Sequence, residues 1–366
     1  MQDRTGPEPS ISNDLITLAA AVIVIVGMRE LAAVLVPVLT AIFFLFAFLP
    51  LVTWLRLKGV SPGWSKVIAI GLAVALLVAI VVLVVVSGSQ FIDNLPEYED
   101  QLRERLAGLT SWLEDRGISV SSDDATEALD YSMILDLGVL IVPSIAAAAA
   151  ATLVSLVVFV YALIDIERTH QRLTLGLGTN DPQLTQVSRM VTIVSRYIAI
   201  RAVLGALAAV LDTILLLALG VEYALFWGFL SFLMSFIPYA GYWIALIPPM
   251  LLALATDGWT AAILVFIGYL LINGAVDSLI APNLMGRGLD IPPAVTVLSI
   301  VFWGAILGPM GTILAMPLTV AFKILLLERS PNARWLALLV STGDGTAALE
   351  AQRAPPLADT DTVAAE

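Results

Sequence analysis

Long apolar runs alternate with short polar segments along this chain of 366 residues. Runs long enough to cross a bilayer as a helix, which takes about 20 residues, occupy 31–55, 66–87, 138–164, 202–220 and 259–276. Shorter runs lie at 15–28, 223–237, 242–256, 291–307 and 312–327. The last four form two pairs, each flanking a tip of proline and glycine. In SFIPYAGYWIALIPPML, from Ser235 to Leu251, the arms meet at Pro238 and Gly241. In FWGAILGPMGTILAMPL, over 302–318, they meet at Gly308, Pro309 and Gly311, with Pro317 beyond. Arms of about 15–17 residues are too short to cross comfortably. A Pro/Gly tip also frees backbone groups that hydrocarbon cannot satisfy, so it survives only when buried in protein or lining a wet cavity. The pattern predicts two broken or re-entrant helical hairpins.

The two tips resemble each other. Over 226–250 and 302–318 each starts with Phe-Trp-Gly, followed by Pro238, Gly241, Ala245 and Pro248 in one and Pro309, Gly311, Ala315 and Pro317 in the other. Paired interrupted segments are the best sequence pointer to a transporter's substrate site. The plain alternative is two tightly turned helical hairpins with no transport role.

Between the second and third long runs, LPEYEDQLRERLAGLTSWLEDRG places Leu95, Tyr98, Leu102, Leu106, Leu109 and Leu113 three or four residues apart, one apolar stripe on a helix. Pro96 suits the first turn of such a helix and Gly117 its exit. SSDDATEALDYSMILDL offers capping residues for a second short helix. A small extracytoplasmic helical cap is expected over 91–137, either a solvated lid or a binding element. After the 138–164 run, NDPQL caps another helix through Asp181 and Pro182.

Composition fixes the environment. The chain is 59% hydrophobic and 13% charged, with a mean hydropathy of +0.95, far above soluble domains. It reads as an all-α integral membrane protein of about eight membrane segments, with the bilayer as its first partner. Arg56, Lys58 and Lys66 between the first two long runs, Arg168, Arg172, Arg189, Arg196 and Arg201 after the third, and Lys323, Arg329 and Arg334 near the end face the cytoplasm by the positive-inside rule. Both termini are then cytosolic, and the two hairpins enter from opposite sides. Most of the formal charge of −12 resides in 91–137, where twelve Asp and Glu stand against Arg103, Arg105 and Arg116.

The N-terminal residues lack the basic region of a secretory signal and read as a short cytosolic lead. The polar residues after 340 cannot bury enough apolar surface to order themselves. With no cysteine, disulfides and thiolate sites are excluded, and the single His170 cannot assemble a multi-histidine metal site. There is no GxxxxGK[ST] loop and no HExxH, which argues against a primary pump or a zinc protease. No enzyme activity, cofactor, metal or nucleic-acid partner is expected.

Polar residues inside the apolar runs are therefore the candidates. Asp212 sits near the middle of its run beside Thr213, where a carboxylate is costly unless paired, hydrated or protonated. It is read as a proton-titrating or substrate-contacting group, with a buried structural hydrogen bond as the alternative. Asn273 and Asp277 lie four apart on one helical face, near Arg287, which could simply pair with Asp277. Ser235 precedes the first tip. Polar tips can also line a channel filter, so an ion channel or a non-transporting scaffold stays open beside a secondary transporter.

The Ile-Pro-x-x-Gly tip at 237–241, Pro-x-x-x-Gly at 282–286 and Gly-Pro-x-Gly-x-x-x-Ala-x-Pro at 308–317, together with VSRYIAIRAVLGALAAVLDTILLLALGV before them, resemble the autoinducer-2 exporter (AI-2E) family over about 14–328. The resemblance implies a multispanning permease of the prokaryotic cytoplasmic membrane, a homo-oligomer and on the family's pattern a pentamer. It implies export of a small polar molecule such as the quorum-sensing signal autoinducer-2, or in other members antiport of sodium or lithium against protons. Pro238, Gly241, Pro282, Gly286, Gly308, Pro309, Gly311 and Pro317 occupy the matching motif positions. The expected organisation is a lead over 1–13, first membrane helices over 14–90, the cap over 91–137, a membrane helix over 138–164 and a cytoplasmic linker over 165–201. A transport core over 202–328 and a cytosolic tail over 329–366 complete it.

Overall fold

A computed structural model of the chain describes residues 11–116, 132–178, 181–285, 291–328, 336 and 339–341. Every element among the described residues is helical: α1 Ile11–Glu30, α2 Ala32–Leu57, α3 Pro62–Glu114, α4 Ser132–Leu177, α5 Pro182–Ala218, α6 Ala224–Met234, α7 Gly241–Asp257, α8 Trp259–Ala275 and α9 Pro293–Phe322. A π-helical turn, Val276–Ile280, and a short helix, Ala281–Met285, prolong α8, and a second π turn, Lys323–Leu327, prolongs α9. Among the described residues, five helical segments are long and apolar enough to cross a membrane: Ala32–Leu57, Pro62–Arg105, Pro182–Ala218, Trp259–Ile280 and Pro293–Leu327. Val82, Val85, Val210, Ile263 and Leu298 stand exposed on these helices, as a lipid-facing exterior requires.

The last of those five segments does not run straight. Trp303 Nε1 donates to Thr319 Oγ1 at 3.0 Å, whereas sixteen residues of unbroken helix would separate the two by about 24 Å. The chain folds back at Gly308, whose φ of 69° and ψ of −156° lie outside helical space, in a region open essentially to glycine alone. Each arm of α9 is thus only about 15 residues long, near 22 Å of helix. The α6–α7 pair makes the other hairpin around 235–240.

The hairpins open at opposite ends of the bundle. At one end Tyr98 of α3 donates to Glu222 just before α6, and Arg105 Nη2 reaches the Thr256 carbonyl at the foot of α7, 3.4 Å away. At the other, Arg189 near the start of α5 pairs with Glu328 after α9 at 2.9 Å. That second end also holds Arg56 of α2 and Lys66 of α3 on Glu167 of α4. Lys66 and Tyr98 are 32 residues apart on one helix, about 48 Å, more than a bilayer with its headgroups.

Two sequence expectations change here. Pro96 does not open a cap helix; α3 runs through it from Pro62 to Glu114, since one missing amide bond does not outweigh the packing of the face that carries Leu95, Tyr98 and Leu102. Leu95, Tyr98 and Leu102 of its stripe are buried, with Phe91, against the first hairpin, sharing a core with Trp227, Leu252 and Ala253. Likewise the expected linker is mostly helix, because α5 begins at Pro182 and continues through the apolar run. Asp181 caps it as read from the sequence, accepting from the Gln183 amide at 2.7 Å. The second cap helix falls largely in 117–131, outside the described residues.

α5 is the axis of the transport half, touching α2, α6, α8 and α9. The second arm of α9 meets it through Met316, Val320 and Ile324 on Val194, Tyr197 and Ile198, a cluster that also takes in Phe236 of the first tip. The first tip therefore lies alongside the second arm of the other hairpin.

Candidate functional site

Small residues let the first hairpin lie directly on α5. A Cβ on Gly228 of α6 would stand 1.8 Å from Thr213 Oγ1, and one on Gly205 of α5 would stand 2.0 Å from Ser235 Oγ. This register brings the tip level with Arg201, 17 residues along α5 from Ala218, or about 25 Å.

At the tip the chain turns through Tyr239, whose φ is 65°. Gly241 has an ordinary helical start, and its role is close approach: a Cβ there would stand 1.8 Å from the Met234 carbonyl oxygen. Gly311 does the same in the second hairpin, 2.1 Å from the Trp303 carbonyl oxygen. The turning residues are thus Tyr239 and Gly308, with Gly241 and Gly311 as contact points.

Between α5, the tip and α8 is a narrow pocket with ≈ 20 Å³ of room, about enough for one water. Arg201, Gly205 and Ala208 line it from α5, Ser231 from α6, Ser235, Ile237 and Tyr239 from the tip, Tyr242 from α7, and Asn273 and Asp277 from α8 and its π turn. Asp212 lies behind its wall, fully buried. Ser231 Oγ donates to Asp212 Oδ2 at 2.5 Å, and Asn273 Nδ2 approaches both carboxyl oxygens at 3.3 and 3.4 Å. Asn273 Nδ2 also donates to the Tyr269 carbonyl at 3.0 Å, which orients it. Among the described residues no cation pairs with Asp212, so only neutral dipoles compensate its charge in a low-dielectric surrounding. Such a carboxyl is stabilised by taking up a proton or a cation.

One turn of α8 further on, Asp277 is paired. Arg201 Nη1 donates to Asp277 Oδ1 at 2.9 Å, the guanidinium side chain 14% exposed and the carboxylate side chain 45%. Arg287, the partner considered from sequence, lies outside the described residues, as does Gly286.

Of the candidates, Asp212, Asn273, Asp277 and Ser235 come together with the first tip. Pro238 is buried beside the pocket at that tip. Thr213 faces away, donating to the Ala209 carbonyl at 2.7 Å. Pro282 sits in the short helix after the π turn, and Gly308, Pro309, Gly311 and Pro317 belong to the second hairpin; none of these lines the pocket. Sequence reasoning missed Ser231, Tyr239, Tyr242 and Arg201 as site residues. By charge alone Arg201 groups with the cytoplasmic cations, and its pairing with Asp277 joins residues 76 apart in sequence.

A buried carboxyl behind the wall of a small pocket, beside a hairpin broken within the apolar layer, is the arrangement expected in the core of a polytopic membrane transporter. Residues 16–329 match the profile described as AI-2E family transporter, and the chain belongs to that family. It is 29% identical to the AI-2 transport protein TqsA of Escherichia coli K12, over 89% of this chain and 95% of that protein. It is 27% identical to the putative transport protein YhhT of the same organism, over 92% and 96%. A putative transport protein of Haemophilus influenzae is 28% identical over 92% and 98%.

Proposed function

We propose that the protein is a proton-coupled secondary transporter that exports a small polar molecule, autoinducer-2 or a chemical relative, by alternating access. The observation that carries this reading is Asp212: fully buried, held among the described residues by Ser231 and Asn273, and adjoining a pocket with room for about one water. A carboxyl so placed can hold a proton while the pocket is closed and exchange it when water enters, and its neighbours Ser231 and Asn273 offer hydroxyl and amide groups to a polar solute. Hairpins opening at opposite ends favour a mechanism in which the site faces the two sides in turn. The pocket must widen to admit a sugar-sized solute, so the described state is read as occluded. The name of the relative TqsA supports autoinducer-2 as the first substrate to try.

The experiment is uptake into sealed vesicles bearing the purified protein, with an imposed proton gradient and autoinducer-2, sodium or lithium as the solute. Asp212→Asn keeps size and some hydrogen bonding but removes titration, so proton-driven flux should fall at least tenfold while solute binding persists. Undiminished coupled flux in that variant would remove Asp212 from the mechanism. Continuous conductance without proton movement would make the protein a channel.

A further inference from the structure

We infer that Arg201 and Asp277, with Tyr239 beside them, form a gate that closes the pocket toward the end of the bundle carrying Arg189 and Glu328. Three independent features of the pocket mouth converge on this. The mouth is bridged by one ion pair between different helices, Arg201 of α5 and Asp277 after α8, through a single 2.9 Å contact. Arg201 Nε is buried and has no hydrogen-bond partner, so this guanidinium is held by fewer acceptors than it could use. The two sides of the mouth are also built differently. Arg201 lies within the regular helix α5, whereas Asp277 is the second residue of the π turn Val276–Ile280, and such turns concentrate at functional positions where a helix changes register. The third side is the tip residue Tyr239, a non-glycine held at φ 65° and 56% exposed, a conformation that costs free energy and is kept where a side chain is needed in one place.

Beyond this mouth the pocket leads past Ser235 to Asn273 and Ser231, the residues that hold Asp212. Opening the pair while the π turn shifts would give water and solute a path to that carboxyl from one end; closing it leaves the single-water space described above. Positional roles follow: Arg201 is the fixed post, Asp277 the moving latch, and Tyr239 the side wall. The inference rests on the transport reading for its purpose, but access can be measured without any substrate.

The chain has no cysteine, so Ala208→Cys, on the pocket wall, reports access by its reaction with a cationic methanethiosulfonate on the purified full chain in micelles. Val210→Cys, on the exposed apolar face of the same helix, is the control. With the pair intact Ala208→Cys should react slowly; adding Asp277→Asn or Arg201→Gln should speed it at least tenfold. Exchanging the charges, Arg201→Asp with Asp277→Arg, should restore slow labelling. Rates within about twofold across all backgrounds would overturn the gate. So would acceleration that the exchanged pair fails to reverse, or acceleration shared by Val210→Cys, since either marks general loosening. Slow, rescued labelling in a protein that carries no proton-coupled flux would sink the transport reading while leaving the gate intact.

Discussion

Replacing Gly241 by alanine tests the packing of the first hairpin at one atom. The new Cβ would lie 1.8 Å from the Met234 carbonyl oxygen and 2.7 Å from its carbon, where contacts under 3.0 Å are essentially never seen. The arms must separate by about 1.2 Å, and the obstacle is backbone, which cannot rotate aside as a side chain does. Overpacking typically costs 1–3 kcal/mol, and a rigid obstacle puts Gly241→Ala at about 2–3 kcal/mol. Gly311→Ala, 2.1 Å from the Trp303 carbonyl, should behave alike. Gly308 differs in kind: nothing lies within 4 Å of its Cβ position, and the cost is backbone strain of about 1–3 kcal/mol. Leucine should therefore be no worse than alanine at 308 but much worse at 241 and 311, where it should also abolish transport. Gly71→Ala, in an open helical position, should be neutral or gain up to about 1 kcal/mol. Thermal unfolding in micelles, followed by the fluorescence of the eight tryptophans, reads the series. If Gly241→Ala melts with the wild type while size makes no difference at that site, the arms are not in contact as described.

Tyr239→Gly should relieve the positive φ, worth about 1–2 kcal/mol, against about 0.5–1 kcal/mol of added chain entropy. Its melting temperature should stay level or rise, and a clear fall would mean that the ring is a packing element. The hydrogen bond from Arg56, helped by Lys66, lowers the pKa of Glu167 below its ordinary value of 4.5. Its stabilising effect is therefore present above the usual carboxylate range and lost as pH falls through the lowered value. Glu167→Gln should melt below the wild type at pH 7 by a small margin, because the pair is solvent-screened, and the gap should narrow as pH falls below the usual carboxylate range; a gap that does not change with pH would point to lost packing. Orientation is checked by tags: one after Glu366 and one at 180 should be cytosolic and one near 120 outside, and protease digestion at 180 with protection at 120 in intact cells would reverse the topology.

The apolar runs made the helices and both hairpins legible, because Pro238, Gly241, Gly308 and Gly311 interrupt them where hydrocarbon tolerates no ordinary loop. Asp181 as a cap was legible for the same local reason. Asp212 stood out by its cost within an apolar run, and Asn273 by its spacing from Asp277. What contacts them was not legible, because it depends on register between helices distant in sequence: Ser231 meets Asp212 only through the close approach that Gly228 and Gly205 allow. The continuity of α3 through Pro96 was hidden because a proline in a helix removes one amide bond, and packing on Trp227 and Leu252 decides the outcome. The sign of Arg201 was plain, but counting charges by side placed it with loop cations, while its burial against Asp277 makes it part of the site.

The two hairpins share one packing device and differ at one residue. In each, a glycine of the second arm lies on a first-arm carbonyl five residues before a positive-φ position: Met234 before Tyr239, and Trp303 before Gly308. A fully buried alanine follows each glycine by four residues, Ala245 and Ala315. At the second tip the strained position is glycine, which relieves the strain and offers no side chain; that hairpin packs Trp303, Ile306 and Leu307 with residues of α1 and α2. At the first tip the same position carries tyrosine, which keeps the strain and places a phenol at the mouth of the pocket. A bulky residue at φ 65° is retained against an obvious relief only where its side chain is used. The asymmetry leaves the second hairpin packed on α1 and α2 and sets the first against the pocket through a side chain at its tip.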